Sequence, residues 1–325
     1  MEGLPLGPGA HGEPVRDLQR RLTAAGFAAS GALGTYDPET QQAVRAFQGN
    51  RGLVADGVCG EETWSALVEA GYQLGDRLLY LRSPMLRGDD VGELQRKLGA
   101  LGFDAGRVDA IFGPDTERAV KDFERNAGLT TDGVCGPDVV AALGRLGAMT
   151  AGPATVPGIR ERQRLAGQPR QLLDRRIAVG NLGGLEVPAI GTARALQDVG
   201  AVTTVLDHTD RSRQAHEAND FEAELYVGLS VSTDGCARAA YYATAGFESF
   251  GGRRMAELLA EELRAIFPKD APEPVGMRLP ILRETRMPAV VCHLTSVDQL
   301  VTQHPELAQA IRRAAARWAE EPPIP

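Results

Sequence analysis

The first half of the chain carries apolar residues at helical spacing, and the whole pattern occurs twice. Val15, Leu18 and Leu22 follow the i, i+3, i+7 spacing of one helix face. Gly26 stands where that helix is expected to end. The pattern returns 76 residues later without a gap, which predicts a duplicated structural unit. The matched positions are Val15 and Val91, Leu18-Gln19 and Leu94-Gln95, Leu22 and Leu98, Gly26-Phe27 and Gly102-Phe103, Ala43-Val44 and Ala119-Val120, Phe47 and Phe123, and 56–60 and 132–136.

Each copy is predicted to form three short helices. The second helix begins at the turn 37–40 in one copy and 113–116 in the other, where proline suits the first helical turn and an acidic residue favours the positive helix end. A turn-rich Asp-Gly-Val-Cys-Gly segment then leads to a third helix, which starts at Glu61 or Pro137. The first half is therefore predicted to be two small all-α domains.

The pattern changes after the repeats to short apolar strands that alternate with helices. Such alternation predicts an α/β domain around a mixed or parallel sheet. The predicted strands are 177–179, 201–206, 225–229, 239–243 and 289–292, and the predicted helices are 189–199, 251–266 and 305–319. The predicted organisation is a first repeat over 1–71, a second over 72–147, a Gly- and Pro-containing linker over 148–176 and the α/β domain over 177–325.

Charge and cysteine usage exclude several classes of protein. The net charge of −8 argues against a broad nucleic-acid or anionic-membrane footprint. No stretch approaches the ~20 apolar residues that a membrane-spanning helix needs, and the first residues lack the pattern of a secretory signal. The four cysteines form no CxxC motif, as is typical of buried thiols in a reducing compartment. We therefore expect a cytoplasmic protein.

The repeated residues resemble those of the peptidoglycan-binding type 1 domain. The order Leu-Gln, Gly-Phe, Ala-Val-x-x-Phe, Gly-Leu and Asp-Gly-x-x-Gly is typical of that family and occurs twice. The resemblance implies a shallow groove between helices that takes the stem peptide or glycan of the cell wall. The first copy has 35–37 where glycine is usual, and the second has Glu124 where Gln48 stands in the first. These departures are expected at the groove edge, so it stays open whether both copies bind. An alternative interpretation is that the repeated residues only determine the fold and carry no information about a ligand.

The second half resembles the type 3 N-acetylmuramoyl-L-alanine amidases. The segment 281–291, Ile-Leu-Arg-Glu-Thr-Arg-Met-Pro-Ala-Val-Val, matches the sequence that precedes the last core strand of that family. The resemblance implies a zinc enzyme that cuts the bond between muramic acid and the stem peptide. Its zinc is held by two histidines and a glutamate, with a water in the open position and a further glutamate as base.

The residues that this chemistry requires are largely missing. Leu182 occupies the slot of the first histidine, Ser230 that of the second, and His293 that of the base, while Glu186 is a weak candidate ligand by proximity. Leucine cannot bind a metal and serine binds zinc poorly. We therefore expect no hydrolytic zinc site, no catalytic residue and no cofactor, and we predict that Leu182, Glu186, Ser230 and His293 line a former active-site pocket.

Other residues are not expected to rebuild a metal site or a nucleophilic centre. The remaining histidines and cysteines of this half have no tight metal spacing, and Cys292 and His293 are adjacent on a predicted strand, which turns them to opposite faces. No Gly-x-Ser-x-Gly motif accompanies His293. These remaining residues include His208, His216, Cys236 and Cys292.

The domain order and the eroded amidase motifs resemble those of the actinobacterial CwlM-type proteins. That resemblance implies a non-catalytic cytoplasmic regulator or scaffold of peptidoglycan precursor synthesis, with the enolpyruvyl transferase MurA as partner and muropeptides as further ligands. Two alternatives remain: an active, exported zinc amidase that acts in cell-wall hydrolysis, and a plain peptidoglycan or muropeptide binder. Fold and domain order do not decide between them.

Overall fold

The chain folds as two compact units, which are described separately. The computed structural model describes residues 4–147, 161, 165, 167–232, 234–244, 247–295, 300 and 302–321. The first unit comprises Met1–Arg160 with Ala245–Phe247, and the second comprises Glu161–Thr244 with Glu248–Pro325. Within the described part of the chain, no helix is long and apolar enough to cross a membrane.

The first unit contains two copies of a three-helix module, as the repeat predicts. Paired backbone hydrogen bonds close each module, between Leu6 and Cys59 in the first and between Leu79 and Cys135 in the second. The helices of the first copy are α1 (Glu13–Ala24), α2 (Pro38–Asn50) and α3 (Glu61–Ala70), and those of the second are α4 (Asp89–Ala100), α5 (Pro114–Ala127) and α6 (Pro137–Gly147).

Glycine ends the first helix of each module. Gly26 and Gly102 both have a φ of +87°, a left-handed conformation that suits glycine far better than other residues. The chain turns there so that Phe27 and Phe103 reach back into their own cores. Phe27 packs edge-on against Phe47 at 5.6 Å between ring centroids, and the equivalent second-copy pair lies at 5.5 Å. The two cores are thus built from the repeated residues themselves.

The second unit is built around one mixed sheet of seven strands. The strands are β1 (Arg176–Asn181), β2 (Val202–Asp207), β3 (Leu225–Val231), β4 (Arg238–Thr244), β5 (Phe247–Glu248), β6 (Glu273–Met277) and β7 (Ala289–Leu294). Their order is β2-β1-β3-β7-β4-β5, with β6 paired to β4. Strands β1, β2, β3 and β7 are parallel, β4 is antiparallel to β7, and β6 is parallel to β4. The predicted α/β class with a mixed sheet is confirmed.

Helices cover both faces of this sheet. The long helices α7 (Glu186–Gln197), α9 (Phe250–Arg264) and α11 (His304–Glu320) share one core with alternate residues of the central strands, among them Leu229 and Cys292. The opposite face carries α8 (Arg211–Asp220), where the buried Tyr226 hydroxyl donates to Gln214 Oε1 at 2.8 Å. The short helix α10 (Pro280–Glu284) joins α8 there.

Four of these elements, α8, α10, β5 and β6, were not predicted from the pattern, and β5 has only two residues. Helices α8 and α10 are short, and α8 is polar on most of its length, so that only Gln214, Ala215 and Ala218 are buried. Strand β6 is exposed at four of its five residues and contains Pro274. Weak amphipathic patterns of this kind carry little information, because packing against the sheet stabilises these elements more than local propensity does.

The described part of the predicted linker packs onto the second unit. Residues 148–160 lie outside the described residues. Leu165 and Leu172 are buried in the core around the long helices. The Arg175 guanidinium lies 5.4 Å from the ring centroid of Trp318, and Glu161 accepts hydrogen bonds from the start of α9. Residues well before 177 therefore contribute to this core.

Candidate functional site

The carboxyl ends of the parallel strands bring three of the predicted site residues to one edge of the sheet. Ser230 on β3 lies directly beside His293 on β7. Leu182 follows β1, and its N–H donates to the Leu229 carbonyl at 2.9 Å. Since β1, β3 and β7 are neighbours, these residues lie at adjacent positions along the edge.

The same three residues share one face of the sheet. Leu229 and Cys292 belong to the core beneath the long helices, so Ser230 and His293, which alternate with them, face the other way. Leu182 reaches this face as well, because a Cβ placed on Gly228 would lie 3.2 Å from Leu182 Cδ1. The prediction that Cys292 and His293 face opposite sides of the sheet agrees with this arrangement.

Glu186 does not belong to this group, because it lies on a helix that packs against the other face of the sheet. It is exposed on the first turn of α7, a helix whose buried residues Ala189, Ala193 and Leu196 pack on the opposite face of the sheet. The turn before α7 is held by Asn181, whose Oδ1 accepts from the N–H groups of Gly183 and Leu185 at 3.1 and 3.0 Å. The described contacts link Leu182, Ser230 and His293, and none links Glu186 to them.

His293 is buried with an unused nitrogen. Its side chain is 3% exposed, and within the described residues its buried Nε2 has no hydrogen-bond partner. Burial, helped by the charges of Arg211 and Arg238 and opposed by that of Asp234, lowers the pKa of His293 to about 4. The imidazole is therefore neutral near pH 7. A buried polar atom without a partner is uncommon and calls for a ligand or a structural reason.

Two arginines near His293 were missed by the sequence analysis. Arg238 is the direct cross-strand neighbour of His293 on β4, and Arg211 opens α8. The Arg238 Nη2 donates to Asp234 Oδ2 at 2.7 Å. Burial opposes ionisation of Asp234, but hydrogen bonds from Arg238 and Ser232 outweigh it and lower its pKa. No local signal marks Arg238, because its position beside His293 depends on the antiparallel pairing of β4 with β7.

Comparison with known proteins agrees with this architecture. The model of a "Putative peptidoglycan binding domain" matches residues 11–67 and 87–143. The N-acetylmuramoyl-L-alanine amidase CwlM of Mycobacterium tuberculosis is 33% identical, over 89% of this chain and 81% of that protein. The chain belongs to the N-acetylmuramoyl-L-alanine amidase family. Its CwlM-type arrangement, two peptidoglycan-binding domains followed by an amidase-like domain, is confirmed.

Further amidases match the second half alone. The amidase CwlL of Bacillus licheniformis is 38% identical, over 43% of this chain and 45% of its own length. Among solved structures, the amidase AmiC2 of Nostoc punctiforme aligns with a TM-score of 0.38 and 16% identity, over 46% of this chain and 99% of its own.

Other candidate ligands in this amidase-family chain are scattered. Within the described ranges, no group of three or more His, Cys, Asp or Glu side chains is arranged to hold a metal ion. His208 pairs with Glu217 at 3.3 Å, and His216 is exposed beside Asp220. Cys236 is exposed and Cys292 is buried in the core on the opposite face from His293.

The peptidoglycan-binding repeats each contain a buried glutamine that holds a loop. Gln19 is 4% exposed, and the equivalent Gln95 is 2% exposed. Each side chain makes four hydrogen bonds, to partners that lie 13 to 21 residues further along the chain. The partners of Gln19 are Ala32 O, Thr35 O, Thr40 Oγ1 and Gly34 N, and those of Gln95 are Asp109 Oδ1, Ile111 O, Thr116 Oγ1 and Ala110 N.

The repeats differ at a second buried position. Gln48 donates to Asp56, Val58 and Thr63 and accepts from Gly57. Its counterpart Glu124 accepts from the Gly133 N–H at 2.9 Å, while its buried Oε1 has no partner among the described residues. Both side chains are 1% exposed, so the prediction that this difference lies at a groove edge is wrong. Burial, followed by the nearby Asp132 carboxylate, raises the pKa of Glu124.

Proposed function

We propose that this amidase-family chain is non-catalytic and that it regulates or scaffolds peptidoglycan precursor synthesis by binding a protein or a muropeptide. The single observation that carries the proposal is the set of side chains at the sheet edge. Leu182, Ser230 and His293 supply one apolar side chain, one hydroxyl and one imidazole, in that order along the edge. A catalytic zinc needs about three protein ligands and an open position.

The electrostatics of the edge support the same conclusion. The charges of Arg211 and Arg238 act on His293, with Asp234 as the opposing carboxylate. A divalent cation placed there would face two guanidinium groups, whereas zinc sites neutralise the ion with carboxylates, thiolates or several imidazoles. The base slot holds a neutral imidazole instead of a carboxylate. This donor set does not fit a hydrolytic zinc ion.

The partner and the place of action belong to the same proposal. This chain shares the CwlM-type domain order over most of its length. We propose that it acts on the enolpyruvyl transferase MurA in the cytoplasm. The two peptidoglycan-binding domains support muropeptides or peptidoglycan fragments as additional ligands. Binding of such a fragment would then adjust precursor synthesis to the state of the cell wall.

Metal content together with amide hydrolysis tests the non-catalytic role. We expect the purified full-length chain to contain far less than one zinc per chain and to release no peptide from muropeptides, while CwlL, assayed in parallel, releases it. Stoichiometric zinc, with hydrolysis that is lost in Glu186→Gln, would overturn the proposal. It would favour the active cell-wall amidase that the names of the relatives indicate.

Retention of MurA tests the regulatory role separately. Immobilised full-length chain is expected to retain purified MurA, and addition of muropeptide is expected to change the retained amount. Capture of muropeptide without any capture of MurA would leave only the plain binder and would refute the regulatory proposal.

A further inference from the structure

We infer that Ser230, His293 and Arg238 at the sheet edge, together with Arg211 at the start of α8, form a binding site for a compact oxyanion, a carboxylate or a phosphate group. The inference rests on the proposed absence of a hydrolytic zinc centre, because it assigns a ligand to the same edge. It goes further by giving the charge and chemical class of that ligand. We call these four residues the oxyanion cluster.

Strand register brings three members of the oxyanion cluster side by side. Ser230, His293 and Arg238 occupy directly opposed positions on β3, β7 and β4. Residues in direct cross-strand register have side chains on the same face, about 5 Å apart at Cβ. The adjacent residues Leu229, Cys292 and Ala239 all lie in the core on the other face. A row of hydroxyl, imidazole and guanidinium groups therefore crosses three strands.

The second observation is the unsatisfied nitrogen of His293. Its Nε2 is buried and unpartnered among the described residues, with the side chain 3% exposed. Leaving such a group without a partner is unfavourable, because it has lost its hydrogen bonds to water and gained none in the protein. In the tautomer with the proton on Nε2, this atom is a donor. An oxyanion lying against the row would accept from it and remove that penalty.

The hydroxyl of Ser230 is similarly available. Its side chain is 6% exposed, and the contact recorded for its Oγ is a 3.3 Å interaction with the carbonyl of the next residue, Val231. That distance exceeds the usual 2.7–2.8 Å of an O–H···O hydrogen bond. The hydroxyl can therefore turn toward a better acceptor without loss of a strong bond.

Charge determines which kind of ligand the cluster favours. Arg211 and Arg238 act on His293 from α8 and β4, and Asp234 is the opposing charge, which leaves the surroundings net positive. Arg238 is 14% exposed at its side chain and already pairs with Asp234. Guanidinium groups with little exposure bind carboxylate and phosphate oxygens in charge-assisted hydrogen bonds.

Two sources of the oxyanion share this chemistry, and binding measurements distinguish them. Isothermal titration of the full-length chain would use inorganic phosphate, uridine diphosphate and muramyl dipeptide, whose anionic group is a carboxylate. We expect saturable 1:1 binding of at least one probe. Binding of the phosphate probes alone points to a phosphorylated ligand, and binding of muramyl dipeptide alone points to a peptide carboxylate.

Matched substitutions locate the site. Arg238→Gln and Arg211→Gln are each expected to weaken binding about tenfold, equivalent to about 1.4 kcal/mol. Arg264→Gln removes the same charge from an exposed position at the end of α9 and is expected to leave the affinity unchanged. Arg238→Lys keeps the charge and is expected to retain more affinity than Arg238→Gln, which separates loss of charge from loss of the strand pairing.

Two results would overturn the inference. One is the absence of saturable binding of every probe up to ~10 mM, roughly tenfold above a millimolar Kd. The other is an equal effect of Arg238→Gln and Arg264→Gln on affinity. Zinc content measured on the same preparation keeps the tests apart: stoichiometric zinc refutes the proposed function, whereas zinc-free protein that binds no probe refutes the oxyanion cluster alone.

Discussion

The buried glutamines of the first peptidoglycan-binding repeat are satisfied, whereas the buried histidine at the sheet edge of the amidase-like unit is not. Gln19 and Gln48 each make four hydrogen bonds within the first repeat. His293 is equally buried, yet its Nε2 has no partner among the described residues. Its nearest charges are of one predominant sign.

This difference separates structural from functional polar groups. A buried amide whose donors and acceptors are all used holds loops in place and is explained by stability. A buried imidazole with an unused nitrogen destabilises its own fold unless a ligand completes it. Glu124 is intermediate, because it replaces a satisfied glutamine within the same module and leaves one oxygen without a donor.

The largest effect is expected from removal of a satisfied glutamine. Gln19→Leu removes four hydrogen bonds that hold the loop, and we expect the first repeat to lose about 4 kcal/mol of stability. Hydrogen exchange of amides in α1–α3 of the full-length chain measures this loss. Gln42→Leu, at an exposed position of α2, is the control. Equal protection in the two variants would contradict a structural role for the network.

Acidification is expected to lower the stability of the second unit by a slightly smaller amount. The pKa of His293 is about 4 in the folded chain, against an ordinary value of 6.5. The unfolded chain therefore binds a proton first, and stability present above pH 6.5 is lost as pH falls toward 4. At about 1.36 kcal/mol per pH unit, the loss amounts to about 3 kcal/mol.

Substitution of His293 isolates that contribution. In His293→Leu this part of the acid sensitivity disappears, and the second unit is expected to be no less stable than the wild type at pH 7, because an unpaired buried nitrogen is removed. His216→Leu, on the exposed side of α8, serves as control. The measurement is the thermal unfolding temperature between pH 4 and 7. An unchanged pH profile in His293→Leu would rule out this histidine as the cause.

The smallest effect concerns the one buried difference between the repeats. Burial raises the pKa of Glu124, so the folded second repeat holds the proton more tightly than the unfolded chain does. Its stabilising contribution is present below pH 4.5 and is lost as pH rises through the folded pKa. Glu124→Gln supplies donors toward Asp132 and Val134, as Gln48 does toward the equivalent Asp56 and Val58.

We therefore expect Glu124→Gln to stabilise the second repeat by about 1 kcal/mol at pH 7. Hydrogen exchange in α4–α6 measures the change, and Glu93→Gln on the surface of α4 provides the matched control. A decrease in protection in Glu124→Gln would contradict the interpretation that the carboxylate is an unsatisfied replacement for glutamine.

Sequence and structure agree most closely in the repeats. Apolar spacing, the proline at each helix start and the left-handed glycines at 26 and 102 act within a few residues, so they are readable from the chain alone. The burial of Gln48 and Glu124 is not readable from the chain alone, because the loops that cover them lie about ten residues further along the sequence. Exposure of a polar residue is decided by packing that local pattern does not encode.

The sequence by itself determined the duplicated helical modules and the α/β class of the second half, and it supplies the residue types on which the proposed loss of zinc ligands at Leu182 and Ser230 rests. These follow from local spacing and from residue types. Only the tertiary structure brought Arg211 and Arg238 to His293, from a helix that follows β2 and from an antiparallel strand. The net charge at this edge is the sum of charges on side chains that are distant in the sequence, and only the fold determines which of them lie close together.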